Sequence, residues 1–492
     1  YTDAQGYYYQ PDNWLDETYH TAFRQEYDFN ISGGNDRGDF YLSAGYLDED
    51  GIIDNSGYRR FNTRLKANYD VKSWLRVGAN IGYVSSKTIS SPNLDASSLG
   101  SVNLNYYATM IAPIYPIYVR VIDPATGQPT IHTDAYGNPH YDYGRPGLDY
   151  PVARAFLQTG NPLGSNHYNR VTTHGMQLQG SGYAEIKLTE DLKFNHTSTV
   201  YWRHSNYSDY ETSLYGPKVT VNGQIDKNQN DYVSQNHLQT LTYNHKFGLH
   251  SVVATLGHEW YKAKTTFLTA AAQGLFSSEI QEINAAANNQ YTSGSYTSAY
   301  NVEGWFGRVL YNYDEKYFAD FSIRRDASSR FHKDHRWGTF WSVGGAWLIS
   351  KEKFMKGTSS WLDELKIKAS IGQKGNDGLD SSWYFAERYT LSRASKTNMA
   401  PSFAGIGNQD ITWETTTAFN IGLEFSMLKR RLTGSIDVYS NKITDLLAWL
   451  SIPESNGVRG YWGNLGDIRN SGIEVSLSGD IIRTKNVTWS LW

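Results

Sequence analysis

The sequence predicts an all-β fold, a transmembrane antiparallel β-barrel. Three observations support this prediction. Apolar and polar residues alternate in segments along most of the chain, the connections between the segments are alternately short and long, and the composition is rich in aromatic rings although hydrophilic on average. A secreted soluble β-protein shares the first and third features, so the order of the connections decides between the two.

The alternation is clearest between Tyr317 and Asp326. Because successive side chains of an extended chain point to opposite faces, this stretch has one apolar face and one polar face. About sixteen such segments are predicted, each near the ten or so residues that a tilted strand needs to cross a membrane. On the apolar face lie Tyr317, Ala319, Phe321 and Ile323; on the other lie Phe318, Asp320, Ser322 and Arg324.

The connections follow the order short, long, short, long from the first strand onward. In an outer-membrane barrel the periplasmic turns are short and the extracellular loops are long. The longest connection, residues 87–166, is predicted to be an extracellular loop insertion with one helix near residues 99–110. The predicted periplasmic turns lie at Asn35, Asp70, Glu190, Gly248, Asp314, Lys353, Lys429 and Lys485, and the predicted extracellular loops at Asp50, Gly127, Gly216, Asn288, His332, Gly375 and Asn456.

Composition excludes several classes of protein. The 492 residues are 39% hydrophobic and 15% aromatic, and they contain no run of apolar residues long enough for a membrane helix. The absence of Cys excludes a disulfide scaffold and a thiolate metal site. A net charge of −4 does not favour nucleic acid as a partner. Rings near the predicted strand ends favour an interfacial aromatic girdle: Tyr69, Trp74, Tyr311, Tyr313 and Tyr317.

No motif in the sequence carries catalytic chemistry, so the chain is predicted not to be an enzyme and to need no cofactor. Its paired carboxylates are expected to be solvated turn residues. His332 and His335 are close enough in sequence to bind a metal, but a solvated loop is the favoured interpretation and no metal site is predicted. Residues 226–231 resemble the start of a calcium loop, but they lack its Gly and Glu and are interpreted as a flexible loop tip.

Two groups of residues are functional candidates. Charged side chains on the polar faces would hydrate a lumen or contact a plug: Arg64, Lys66, Asp320, Arg324, Lys366, Lys368, Glu424, Asp437 and Glu474. Rings in the long loops are expected to be exposed and could contact a substrate or a lid; the alternative is that they pack the loops against one another. They are Tyr141, Tyr143, Tyr150, Trp383, Tyr384, Tyr461 and Trp462.

Several stretches, in order along the chain, resemble the SusC/RagA-like family of TonB-dependent outer-membrane transporters, typical of Bacteroidetes. They include Ser32-Gly33-Gly34-Asn35, Arg324-Arg325-Asp326-Ala327-Ser328-Ser329-Arg330-Phe331, Arg336-Trp337-Gly338-Thr339-Phe340, Leu365-Lys366-Ile367-Lys368-Ala369-Ser370 and Asn470-Ser471-Gly472-Ile473-Glu474.

The resemblance implies a barrel of about twenty-two strands around an N-terminal plug. It also implies a segment that binds TonB, a SusD-like surface lipoprotein that acts as a lid, outer-membrane lipid around the barrel, and import of an oligosaccharide or oligopeptide ligand. Residues 1–492 contain neither the plug nor the closing strands, so we expect a barrel domain incomplete at both ends. The alternatives are a passive porin, an adhesin-type barrel, and a secreted carbohydrate-active β-protein.

Overall fold

A computed structural model describes residues 6–90, 103–133, 137–147, 149–151, 154–157, 160–216, 218–277, 280–393 and 399–492. Its α-helices are short: α1 (Trp14–Thr18), α2 (Leu104–Met110) and α3 (Pro162–Tyr168). None of the described helices is long and apolar enough to cross a membrane.

The chain is otherwise dominated by β-strands. In chain order the strands are β1 (Arg24–Asn35), β2 (Gly38–Asp50), β3 (Gly57–Lys72), β4 (Leu75–Ser90), β5 (Arg120–Ile122), β6 (Pro129–Ile131), β7 (Arg170–Lys187), β8 (Leu192–Glu211), β9 (Gln224–Phe247), β10 (His250–Leu275), β11 (Ala286–Tyr313), β12 (Tyr317–Ser328), β13 (Trp337–Leu348), β14 (Leu362–Asn376), β15 (Arg388–Arg393), β16 (Met399–Gly405), β17 (Glu414–Met427), β18 (Leu432–Thr444), β19 (Leu447–Ser451), β20 (Gly460–Asn464), β21 (Ile468–Arg483) and β22 (Thr488–Leu491).

One antiparallel sheet of 16 strands forms the body of the molecule, in the order β1-β2-β3-β4-β7-β8-β9-β10-β11-β12-β13-β14-β17-β18-β21-β22. Each strand pairs with its neighbour along the chain, and the strand pairs β5–β6, β15–β16 and β19–β20 are separate hairpins inside long connections. The predicted all-β architecture and its strand number are therefore confirmed. Within the described residues, β1 and β22 each pair with one strand of this sheet.

The apolar face of the sheet lies open. Phe29 is 60% exposed, and Ile473 and Val475 are each 70% exposed. The buried hydrophobic clusters belong to the connections and to strand ends near them, instead of to a second layer packed on the sheet. A soluble sandwich would bury this face, whereas lipid covers it in a membrane barrel. The cross-strand register carries the face across the sheet in continuous rows, such as Trp347, Ile367, Leu423, Ile436 and Val475.

Several strands are longer than the sequence predicts. β9, β10 and β11 have 24, 26 and 28 residues. Residues 204–231 and 263–300, around the predicted loops at Gly216 and Asn288, are largely the far ends of β8–β11. The calcium-like segment 226–231 lies inside β9, so its interpretation as a loop tip is wrong. Water contacts both faces of a strand beyond the membrane, so the apolar alternation fades although the backbone pairing continues.

Successive connections lie at alternate rims of the sheet, and most of them follow the predicted order of short and long. Among the connections between the described strands, the one that differs is residues 349–361, which contains the 3₁₀ turns Ile349–Lys351 and Lys353–Thr358 and is longer than the opposite-rim connections 51–56, 212–223, 276–285 and 329–336. The predicted insertion 87–166 is shifted, because β4 continues to Ser90 and β7 begins at Arg170. Helix α2 lies inside the predicted helix 99–110, of which residues 99–102 lie outside the described residues. The segment before β1 contains α1.

Aromatic rings form a belt at the rim of the short turns. The ring of Tyr317 lies 6.2 Å from those of both Tyr313 and Trp347. His250 lies 4.8 Å from Tyr313 and 5.2 Å from Phe247, which extends the belt across the turn between β9 and β10. Rings of this kind are enriched where a barrel meets the membrane interface.

Candidate functional site: the polar wall and two loop cores

The polar face of the sheet carries paired charges, and the first group lies where β10, β11 and β12 meet. The guanidinium of Arg324 donates to Glu259 at 2.8 Å and to Asp326 at 2.7 Å. The register places Gly304 directly between the two acids. A Cβ on Gly304 would lie 2.2 Å from an oxygen of Asp326, so the glycine leaves the space that this ion cluster occupies.

A second group of charges lies on β14, β17 and β18. The ammonium of Lys368 donates to Glu424 at 2.6 Å and lies 3.3 Å from Asp437, while Lys366 reaches Glu424 at 3.2 Å. Glu474 is the direct cross-strand neighbour of Asp437 and extends the row onto β21. The opposite signs interleave, so this part of the wall is polar without a strong net field.

The remaining predicted lumen residues share the same face. Arg64 donates to Asn80 at 2.9 Å, and Arg64 and Lys66 line one groove on this face. Asp320 lies opposite Gly344, where a Cβ would come within 2.2 Å of its carboxylate. The structure thus brings the nine predicted residues to one face in three neighbourhoods. That they line a lumen or contact a plug stays a prediction.

The first loop core packs the N-terminal segment against the long insertion. It consists of Trp14, Tyr107, Ala108, Ile111, Ile117, Tyr141, Tyr143 and Tyr215, all at most 7% exposed. Tyr143 stacks on Tyr215 with ring centroids 5.6 Å apart, and Trp14 donates its indole N–H to the backbone oxygen of Tyr115 at 2.9 Å. Burial raises the pKa of Tyr107 to about 12.

Two buried carboxylates hold this core together. Asp142 forms an ion pair with Arg154 at 2.8 Å, both 3% exposed, and burial raises the pKa of Asp142 although the guanidinium opposes the shift. Asp149 has a fully covered side chain that accepts from Arg145 at 2.8 Å and lies 2.9 Å from His140. Burial alone would raise the pKa of Asp149, but these hydrogen bonds outweigh it and lower that pKa to about 2.

The second loop core gathers the connections after β12, β14 and β18. Its buried residues are Phe331, Leu379, Tyr384 and Ile411. Arg330 lies over the ring of Tyr300 at 4.3 Å and donates to the backbone of Asp377 at 2.9 Å, while Ser328 donates to the carboxylate of Asp377 at 2.6 Å.

The family-like run Arg324–Phe331 therefore has a structural explanation. Its first charges, Arg324 and Asp326, pair on the polar wall, and Arg330 and Phe331 fix the loop above it. Because β12 ends at Ser328, the strand part of this run lies on the wall and the residues after it lie in the second loop core.

The predicted loop rings differ in their surroundings. Tyr141, Tyr143, Tyr150 and Tyr384 are 4–8% exposed, so the expectation that they are exposed rings is wrong, and they pack the loops together. Tyr384 donates to Asp380 at 2.5 Å, and burial raises its pKa. Tyr461 and Trp462 are half-buried. Trp383 is 58% exposed and is the loop ring of this set best placed to contact a ligand or a lid.

Sequence reasoning missed several residues that organise these sites. Glu259 lies on β10, on the opposite face from the apolar side chain of Leu256, and this alternation could have placed it on the polar face. The roles of Asp142, Arg154 and Asp377 could not be predicted from the sequence. Their partners are distant in the chain and come together only through loop packing.

The two loop histidines face different carboxylates. His332 lies 3.3 Å from Asp334, whereas His335 faces Asp410 at 3.6 Å. Among the described residues, no three His, Cys, Asp or Glu side chains are arranged so that they could hold a metal ion.

Comparison with known proteins decides the family. The sequence model of the family described as "TonB dependent receptor-like, beta-barrel" matches residues 124–492. The chain belongs to this family. It is accordingly a β-barrel chain of the outer membrane, related to receptors and transporters and not to enzymes.

The curated relatives are TonB-dependent receptors, and SusC is one of them. The chain is 28% identical to TonB-dependent receptor P39 of Formosa agariphila over 94% of this chain and 41% of that protein. It is 26% identical to TonB-dependent receptor SusC of Bacteroides thetaiotaomicron over 97% of this chain and 47% of that protein. The chain thus spans less than half the length of these relatives.

Solved structures show the same fold. The structure titled "Structure of the RagAB peptide transporter" superposes with a TM-score of 0.79 at 23% identity, covering 97% of this chain and 51% of that chain. The siderophore receptor PiuA from Acinetobacter baumannii matches with a TM-score of 0.51 at 12% identity, covering 93% of this chain and 60% of that one. The resemblance to SusC and RagA inferred from sequence is confirmed.

Proposed function

We propose that this chain forms the barrel wall of a TonB-dependent importer of oligosaccharides or oligopeptides that works with a SusD-like surface lipoprotein as its lid. The observation that carries the proposal is a barrel sheet whose polar face holds interleaved charges beneath two packed loop cores. The names of the relatives support it, since one is SusC and a structural neighbour is titled a peptide transporter.

The polar wall suits a large cargo that is uncharged or carries charges of both signs better than it suits ions of one sign. Arg324 and Lys368 each contact two carboxylates, so little unpaired charge faces the interior at these points. A wall of this kind hydrates a polar cargo and offers hydrogen bonds to a plug, without attracting ions of one sign.

The outer rim supplies contact residues. Trp383 is 58% exposed beside the second loop core, and Tyr389 and Leu391 on the hairpin β15–β16 are 58% and 67% exposed. A ring can stack on a sugar face or a peptide side chain, and an exposed apolar group can bury against a lid.

Uptake in cells tests the proposal. Cells expressing the whole protein take up labelled oligopeptides or oligosaccharides, and deletion of TonB abolishes the uptake. Uptake that continues without TonB identifies a passive porin and overturns the proposal, as does an ion current through the intact purified barrel that is as large as that of an open pore.

Co-purification tests the lid. A surface lipoprotein is expected to purify with the whole protein in mild detergent, and Trp383→Ala is expected to weaken the uptake of one cargo class while the barrel still folds. Trp449→Ala, which changes an exposed ring on β19, is the matched control. Purification of the barrel alone, with full uptake, would contradict the role of a lid.

A further inference from the structure

The membrane-facing surface of β9–β12 changes abruptly from apolar to polar. One cross-strand row on this face consists of Leu241, Leu256, Gly307 and Ile323. The next row, two residues further along each strand, consists of Gln239, His258, Trp305 and Arg325.

A groove of roughly 500 Å³ lies along this border, lined by residues of both rows. Its floor lies at Gly307, which has no side chain, between the apolar side chains of Leu256 and Ile323. Leu256 is 65% exposed and Trp305 is 56% exposed, so the groove is open to the surroundings of the barrel. The apolar lining of such a groove suits an acyl chain.

The polar row leaves one cation unmatched. Gln239 lies 2.9 Å from His258, and Glu303 lies 3.3 Å from His258 and accepts from the indole of Trp305 at 3.4 Å. The guanidinium of Arg325 lies 5.2 Å from the ring centre of Trp337, and within the described parts of the chain it has no carboxylate at ion-pair distance. An exposed cation held on a ring is available to an anionic group.

The height of the groove places it at the outer interface of the membrane. A tilted strand crosses the hydrocarbon region in about 9–11 residues. β11, starting at the aromatic belt residue Tyr313, therefore leaves the hydrocarbon near Trp305 and Glu303. The rings of Trp305 and His258 are 4.1 Å apart, as expected of an interfacial ring cluster.

We propose that this groove is a binding site for an anionic membrane lipid of the outer leaflet. An acyl chain lies over Gly307 between Leu256 and Ile323. The anionic head group accepts hydrogen bonds from Arg325. Charge complementarity at Arg325 and the open apolar floor at Gly307 select this occupant.

Native mass spectrometry of the whole protein in mild detergent tests the site, with dioleoyl phosphatidylglycerol as the anionic probe and dioleoyl phosphatidylcholine as the zwitterionic one. Arg325→Gln is expected to weaken phosphatidylglycerol binding about five- to tenfold and to leave phosphatidylcholine binding unchanged. Gly307→Val is expected to weaken the binding of both lipids, because it fills the floor. The Cβ it adds lies 3.4 Å from Leu256, an ordinary contact, so the barrel still folds.

Two control variants define the opposite result. Lys262→Gln removes an exposed cation higher on the same face of β10, and Gly345→Val adds a side chain to the same face of β13, where the nearest atom to the new Cβ is 3.6 Å away. The proposal is overturned if these controls weaken phosphatidylglycerol binding as much as the test variants do. Displacement of the lipid by millimolar inorganic phosphate would also overturn it, since the site would then recognise the anion alone.

Discussion

At the scale of single residues, the carboxylates of the polar wall need the space that glycines leave beside them. Gly304, Gly344 and Gly422 each lie opposite a carboxylate on the next strand, and a Cβ there would approach an acid oxygen to 2.2–2.4 Å. The acid can therefore lie flat along the sheet. Sequence alone identified Asp320 and Asp437 by their alternation, but it did not identify Asp326 or the three glycines, because cross-strand register is not visible in one strand.

Gly344→Val tests this arrangement. The new side chain overlaps the position of Asp320, so it is expected to lower barrel stability by about 1–3 kcal/mol, the usual cost of overpacking. Thermal unfolding followed by circular dichroism measures the loss. Gly345→Val, on the opposite face with 3.6 Å to its nearest atom, is expected to unfold at nearly the wild-type temperature. Equal effects of the two variants would contradict a specific role for the space beside Asp320.

Arg154→Met tests the buried ion pair of the first loop core. Its loss leaves the carboxylate of Asp142 buried without a counter-charge, which destabilises a structure by about 3–5 kcal/mol. Limited proteolysis is expected to cut the loop after β4 much faster than in the wild type. Arg459→Met breaks an ion pair whose side chains are 85% and 74% exposed, and its cutting rate should match the wild type. Unchanged protection in Arg154→Met would refute the importance of the pair.

At the scale of elements, the sequence predicts the strands inside the membrane better than it predicts the strand ends above the membrane and the loop cores. The sequence predicted sixteen strands because alternation marks every segment that has lipid on one face. It did not predict the far ends of β9–β11, where both faces are wet and alternation is absent. It also did not predict which loop rings are buried, because Tyr141, Tyr143 and Tyr150 are covered by segments distant in the chain.

The pKa of Asp149 gives the first loop core a defined acid limit. Its folded-state pKa of about 2 lies below its ordinary value of 3.8, so its ionised form stabilises the core above pH 4. This stabilisation, about 2 kcal/mol, is lost as the pH falls from about 4 to 2. Near-ultraviolet circular dichroism of the packed rings is expected to follow the loss.

Asp149→Asn isolates the effect. The variant is expected to be less stable than the wild type at pH 7, with the difference shrinking below pH 4. Asp142 titrates in both proteins, and because the charge of Asp149 raises the pKa of Asp142, the difference between the two proteins reports the coupled pair. A stability difference that stays constant between pH 7 and pH 2 would show that the carboxylate of Asp149 is not responsible.

At the scale of the whole molecule, the barrel sheet and the outer hairpins are separate units. β15–β16 and β19–β20 belong to sheets of their own. They differ in their contacts, because Leu447 and Trp462 of β19–β20 pack on the second loop core while Tyr389 and Leu391 of β15–β16 are exposed. The order of the connections predicted long extracellular loops at Gly375 and Asn456, whereas the hairpins inside these loops and their packing needed the structure.

Replacing each hairpin by a linker tests whether the hairpins are separate from the barrel sheet. Replacing residues 389–404 by a short Gly-Ser linker is expected to leave the unfolding temperature of the barrel unchanged and to reduce cargo uptake. Replacing residues 447–464 removes Trp462 and is expected to expose Phe331, which increased proteolysis of the loops would detect. A fall in barrel stability after the first replacement would show that the hairpin is part of the wall.

The length of β9, β10 and β11 has a consequence for how the cell surface is recognised. Their pairing continues without interruption from the turn at Gly248 to Ala271, and with one irregularity to Leu275. An antibody or phage that binds this extension contacts a rigid sheet of neighbouring strands. Its epitope is discontinuous, because it consists of alternate side chains from three strands. Denatured protein would lack that epitope, and a linear peptide copied from any one strand would not compete for it.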